Sequence, residues 1–294
     1  MNMHAIFLAA TLAVCLFHAG LLQALFLYSR SDDTASHIVL VPLITMYLIY
    51  QERDRVFASP RGSWGWAALA AVPGLALLAA GGFYGPFAAA ATSLSLGAAG
   101  LVLVCIGLFL LCYGPASARA AAFPLAFLIF LVPIPDPMMQ GAVQVLKRGT
   151  TEVVAVLFAL TGTTFYRQDF LFSLRDFSII VADQCSGIRS SIALTLTSLL
   201  LGHMFLNSPW RKVVLVAVVL PITVFKNGVR IVALTLLAMH VDPSFLTGQL
   251  HRDGGIAFFL LALLMLLPVL VWLRRSEAAA VKRAAAVSLS PEVV

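Results

Sequence analysis

Val181-Ala-Asp-Gln-Cys-Ser-Gly-Ile-Arg-Ser190 opens a run of apolar residues that continues to about residue 206. That run is about one bilayer crossing long, which takes roughly 20 residues at about 1.5 Å each. The stretch therefore reads as the start of a membrane helix. It also sets a cysteine among polar residues. Cys15, Cys105 and Cys112 lie inside long apolar runs, whereas Cys185 follows Asp183 and Gln184 and precedes Ser186 and Gly187. A thiol in the first turn of a helix feels the positive end of the macrodipole, which favours the thiolate. Asp183 is the expected N-cap of that helix. A small packing residue at a helix start fits the same ten residues, and the stretch alone leaves both readings open.

Outward from this helix the composition is of one kind. Of 294 residues, 61% are hydrophobic and 11% charged, with a mean hydropathy of +0.98. Such a chain is an all-α polytopic membrane protein. Apolar runs predict about eight transmembrane helices, near residues 4–28, 37–50, 64–83, 94–113, 121–135, 188–206, 213–239 and 256–273. The second and fifth are short for a crossing, and Pro133, Pro135 and Pro137 end the fifth. The first run is too long for a signal-peptide core and is read as a membrane helix. One integral membrane domain is expected over residues 1–294, with no separate soluble domain. Four cysteines, three of them within membrane runs, form no disulfide framework and show no metal-ligand spacing, so no metal or cofactor is expected.

The net charge of +6 lies largely in short clusters between the runs, where it sets orientation and is no sign of nucleic acid. With the N-terminus inside, segments 51–63, 114–120, 207–212 and 274–294 hold ten basic residues in 47. Segments 29–36, 84–93, 136–187 and 240–255 then lie outside and hold six in 86. The density favours both termini in the cytoplasm. The long outer segment 136–187 carries an expected amphipathic helix, Met138 to Leu160, with Val143, Leu146, Val153, Val154, Leu157 and Phe158 on its apolar side. Such a helix can lie in the membrane surface. Phe165 to Phe172 and Phe177 to Val181 read as a β-hairpin turning at Arg175-Asp176, which delivers the chain to Cys185.

Two further segments are unusual. Lys226-Asn227-Gly228-Val229-Arg230 puts ionisable residues inside a membrane run, where charge is costly and is usually functional or paired. Lys226 and Arg230 share a face, and snorkelling to the interface accounts for one of them better than for the group. Gly248-Gln249-Leu250-His251-Arg252-Asp253-Gly254-Gly255 lies in the last outer loop, from which His251 can reach Cys185, although a solvated loop histidine is the simpler reading of that residue taken alone. His4 and His18 show no partner in the sequence. A thiol, a base and a fixed positive charge are the parts of acyl transfer.

Cys185-Ser186-Gly187-Ile188, Asn227-Gly228-Val229-Arg230 and His251 with Gly254-Gly255 resemble the exosortase/archaeosortase family of multi-pass membrane transpeptidases. Ser36-His37, Leu40-Val41-Pro42, Tyr47, Phe123-Pro124 and Leu131-Val132-Pro133-Ile134-Pro135 are similar to it as well, so the likeness runs over roughly residues 30–265. The resemblance implies a cysteine nucleophile at Cys185, a stabilising Arg230 and an acid/base His251, with Asp183, Ser186, Gly187 and Asn227 in support. It implies a bacterial inner-membrane enzyme with its site on the outer side. Its expected partners are the bilayer, exported proteins bearing a C-terminal motif, membrane helix and basic tail, and a surface acceptor. The soluble domain linked in some members to exopolysaccharide work is not expected here. A non-enzymatic transporter or exopolysaccharide assembly component is the alternative, with Lys226 and Arg230 lining an anion path. It predicts that Cys185→Ala is tolerated.

Overall fold

The computed structural model describes residues 2–84, 90–175, 177–183, 187–246 and 255–289, and the chain divides into two units, Met1–Met139 and Gln140–Val294. In the first, small residues bring two long helices together. Helix α5 (Trp64–Tyr84) and helix α6 (Ala90–Ala120) cross where Gly74 meets Gly100, Gly81 meets Gly97, and Gly107 meets Ala67 and Ala71. Backbones that close leave no room for larger side chains, the usual packing of membrane helices. The expected end of this run at residue 113 falls on a break: Gly114 has φ +79°, and Pro115 follows. Before them come α1 (Met3–Phe17), α2 (Ala19–Ser31), α3 (Leu40–Gln51) and α4 (Arg53–Val56), and after them α7 (Ala122–Phe127).

The first expected span, 4–28, is two helices bent by 74° at His18. The His18 ring nitrogen and the His18 amide both lie 3.1 Å from the Val14 carbonyl, so side chain and backbone share one acceptor there. His4 also has a partner, the Tyr113 hydroxyl at 2.8 Å, within a cluster of Phe7, Phe57 and Phe109.

The second unit begins in helix α8 (Asp136–Leu160). It buries Leu146, Thr150, Thr151, Val154 and Phe158. Where a two-stranded hairpin is expected, three short antiparallel strands follow: β1 (Tyr166–Gln168), β2 (Leu171–Ser173) and β3 (Ser178–Ile180). Arg167 lies opposite Phe172, and Phe172 opposite Ile179. The extra turn lies inside the first expected arm, at Asp169 with φ +51°, a conformation aspartate tolerates better than most residues. Phe172, Leu174 and Val181 pack with Val154 and Phe158 of α8. Val232 joins them from α11 (Val219–His240), so the strands rest on a fixed apolar platform. Helices α9 (Ile188–Phe205), α10 (Pro209–Ala217), α11 and α12 (Gly255–Leu289) share a second core around Leu194, Leu215, Val219, Leu266 and Leu273. Glu277 of α12 accepts from the amides of Asn207 and Ser208 at 3.1 and 2.7 Å and ties down the α9–α10 connection.

Five helical stretches are long and apolar enough to cross a membrane, and two bent pairs raise the number to seven if each counts as one span. The chain is a multi-pass membrane protein. The count differs from the expected eight for local reasons. The run 37–50 becomes α3, a helix of 12 residues, too short for a crossing of roughly 20. The run 121–135 breaks at its prolines, and the chain turns by 94° into α8.

Candidate functional site

Helix α9 starts at Ile188, and its N-cap is Gly187, at φ +76° and ψ +17°. A side chain in that left-handed region costs roughly 1–2 kcal/mol, so glycine suits the turn. The Gly187 carbonyl accepts from the Ser191 amide and from the Ser190 hydroxyl, each at 2.9 Å. Asp183, the expected N-cap, stands five residues before the first helical residue, and Gly187 is the N-cap instead. Its Oδ1 instead accepts from Lys147 Nζ of α8 at 2.9 Å. The same ammonium lies 4.2 Å from the centre of the Phe170 ring, held between an aromatic face and a carboxylate.

Helix α11 passes close to this turn. A Cβ added at Gly187 would lie 3.2 Å from Asn227 Cγ and 3.3 Å from Asn227 Oδ1, so glycine and amide are packed directly on each other. Asn227 is 1% exposed, and its Nδ2 donates to Thr150 Oγ1 of α8 at 3.4 Å. Gly228 and Gly149 permit that approach: a Cβ at Gly228 would collide with Val153, and one at Gly149 would press on Val224 at 3.1 Å. Lys226, 2% exposed, donates from Nζ to Ser190 Oγ at 2.5 Å. Arg230 lies one turn further along α11 and is half-buried.

The structure thus brings Gly187 of the Cys-Ser-Gly element against Asn227 of the Asn-x-x-Arg element, two segments 40 residues apart in the chain. Asp183 lies at the same helix start but faces α8. Cys185, Ser186 and His251 fall outside the described residues. Lys147, Thr150 and Ser190 are the residues that sequence reasoning missed. The adjacent polar pair Thr150-Thr151 on an otherwise apolar helix side is the signal that marks the first contact with Asn227. Lys147 carries no such signal, because its partner lies 36 residues away. Among the described residues, no group of three His, Cys, Asp or Glu side chains is placed to hold a metal ion. A helix start with a buried ammonium, a buried amide and a guanidinium nearby is chemically suited to negative charge.

A family model, transmembrane exosortase (Exosortase_EpsH), matches residues 28–268, a stretch that runs through both units. No curated protein and no solved structure matches the chain.

Proposed function

This chain belongs to the transmembrane exosortase family, and we propose that it is a membrane cysteine transpeptidase with Cys185 as nucleophile. Its substrates are exported proteins that carry a C-terminal short motif, a membrane helix and a basic tail. The enzyme cuts near the motif and passes the new acyl end to a cell-surface acceptor. The site faces the outer side of the bacterial inner membrane, both termini lie in the cytoplasm, and the two units act as one domain. The observation that carries this reading is the packing of Gly187 on Asn227. Cys185 is two residues from Gly187 in the sequence and Arg230 is three from Asn227, so the contact supports a reading in which the two motifs form one site. Two residues of chain span at most about 7 Å.

The reaction divides into two acyl transfers. Cys185 gives its proton to His251, and the thiolate attacks the scissile carbonyl carbon. A carbon–sulfur bond forms, and the carbonyl oxygen becomes an oxyanion that Arg230 stabilises. The intermediate collapses, the carbon–nitrogen bond breaks, and His251 returns the proton to the leaving amine. A nucleophilic N–H or O–H group of the acceptor then attacks the thioester carbon, His251 takes its proton, and the carbon–sulfur bond breaks to release the Cys185 thiolate, which that proton restores to the thiol. With water in place of the acceptor the same steps give hydrolysis. Lys147 pairs with Asp183, two residues before the nucleophile in the sequence, and so offsets a negative charge that would oppose thiolate formation.

Processing of a candidate substrate in cells tests the proposal. Wild type removes the C-terminal signal, whereas Cys185→Ala leaves the substrate full-length. A non-enzymatic transporter keeps its activity in that variant, and undiminished processing by Cys185→Ala overturns the reading.

A further inference from the structure

Lys226 has no part in the reaction above, yet it is the most deeply buried charged side chain among the described residues. An ammonium in a membrane helix is costly, and burial without a counter-charge makes it more so. Among the described residues no carboxylate lies within ion-pair distance of it. It donates to the Ser190 hydroxyl at 2.5 Å, and that hydroxyl donates in turn to the Gly187 carbonyl at 2.9 Å. The ammonium has donors only, so Ser190 must accept from it and is left with its single proton to give. That proton has one direction, toward the Gly187 carbonyl. The chain Lys226 Nζ–H to Ser190 Oγ–H to Gly187 O therefore has a fixed polarity, and a charged donor strengthens both links.

From this geometry we infer that Lys226 is a positioning residue: acting through Ser190, it locks the left-handed Gly187 turn that leads from Cys185 into α9. The inference rests on the proposed site, because the turn matters only if Cys185 does. Asn227, the next residue of α11, packs on the Cα face of Gly187. Lys226 and Asn227 thus hold Gly187 by its carbonyl and by its open Cα face. Neither needs to touch substrate. A bare packing lysine would be replaceable by an apolar residue of like shape, whereas a latch fails once either link is cut.

The experiment is a double-mutant cycle on the full chain in detergent or nanodiscs, with Lys226→Met, Ser190→Ala and the two combined. Methionine keeps the length of the side chain and removes the donor. Two readouts are taken: amide hydrogen exchange over residues 187–191, and kcat with KM for a signal-bearing peptide. The latch predicts faster exchange at those amides in each single variant. It predicts a fall in kcat on the order of 10- to 10²-fold with KM nearly unchanged, as for a misplaced reacting group. The double variant is then no worse than either single one, because both break the same chain. Ser190→Thr, which retains the hydroxyl, restores slow exchange and most of kcat. Unchanged exchange in Lys226→Met, or losses that multiply in the double variant, overturns the latch. Exchange is read without turnover, so it judges the latch even if Cys185→Ala proves active and the proposed reaction fails.

Discussion

Replacing Gly187 by alanine adds one carbon at the point where the two motifs touch. The native φ of +76° puts an alanine there at a cost of about 1–2 kcal/mol. The new Cβ would stand 3.2 Å from Asn227 Cγ, closer than most such contacts, and Asn227 is buried between α8 and α9 with little room to yield. The native turn is therefore disfavoured by roughly tenfold relative to any unstrained alternative, since each 1.4 kcal/mol is about tenfold in population. Gly187→Ala is expected to lower kcat/KM by about tenfold or more. Gly162→Ala is the control. Gly162 has φ +69°, but nothing lies within 4 Å of its added Cβ, so it carries the backbone cost without the collision. Gly187→Ala, which adds the collision to the backbone cost, should lose more thermal stability than Gly162→Ala, and only Gly187→Ala should lose rate. Substrate cleavage by the purified variants, beside their melting temperatures, measures both. Equal activity of Gly187→Ala and Gly162→Ala refutes the argument that this contact organises the site.

Arg230→Lys is expected to be nearly as damaging as Arg230→Ala, about 10²–10³ in rate, because an ammonium cannot reproduce the planar fork of donors; a rate near wild type in kinetic assays makes Arg230 a charge anchor only. Reporter fusions after residue 160 and at the C-terminus should report opposite sides of the membrane, and the same side for both contradicts the orientation read from Lys and Arg. Asp32 offers a pH test in the first unit. Burial pushes its carboxyl up, but the Thr34 hydroxyl and amide and the Tyr28 hydroxyl outweigh that and hold it below its ordinary value. A depressed carboxyl stabilises the fold above its unfolded pKa, about 3.9, and loses that contribution as pH falls through the lower folded value. Asp32→Asn should therefore lower the melting temperature at pH 7, with the gap to wild type closing below about pH 4.

What was legible in the sequence is what one segment decides alone. The long apolar runs are helices α5, α6, α9, α11 and α12 because length and hydropathy suffice, and the run to residue 113 stops at Gly114-Pro115 as glycine and proline require. The Cys-Ser-Gly and Asn-x-x-Arg segments could be singled out because polar residues inside apolar runs need a reason. What stayed hidden depends on distant groups. Asp183 has the chemistry of an N-cap, but the helix starts at Gly187 and Lys147 takes the carboxylate. Lys226 carried no sign of its partner, since Ser190 lies 36 residues away on another helix. The bend at His18 and the turn at Asp169 are single-residue breaks, which apolar periodicity does not register.

Mass spectrometry of the trapped acyl-enzyme tests the central claim most directly. Wild-type protein is mixed with a signal-bearing substrate, quenched in acid and digested. The account predicts a thioester on the peptide containing Cys185, of the mass of the N-terminal cleavage product, removed by hydroxylamine and missing from Cys185→Ala. Substrate cleaved at the normal rate by Cys185→Ala, or a covalent product on any residue other than Cys185, contradicts it.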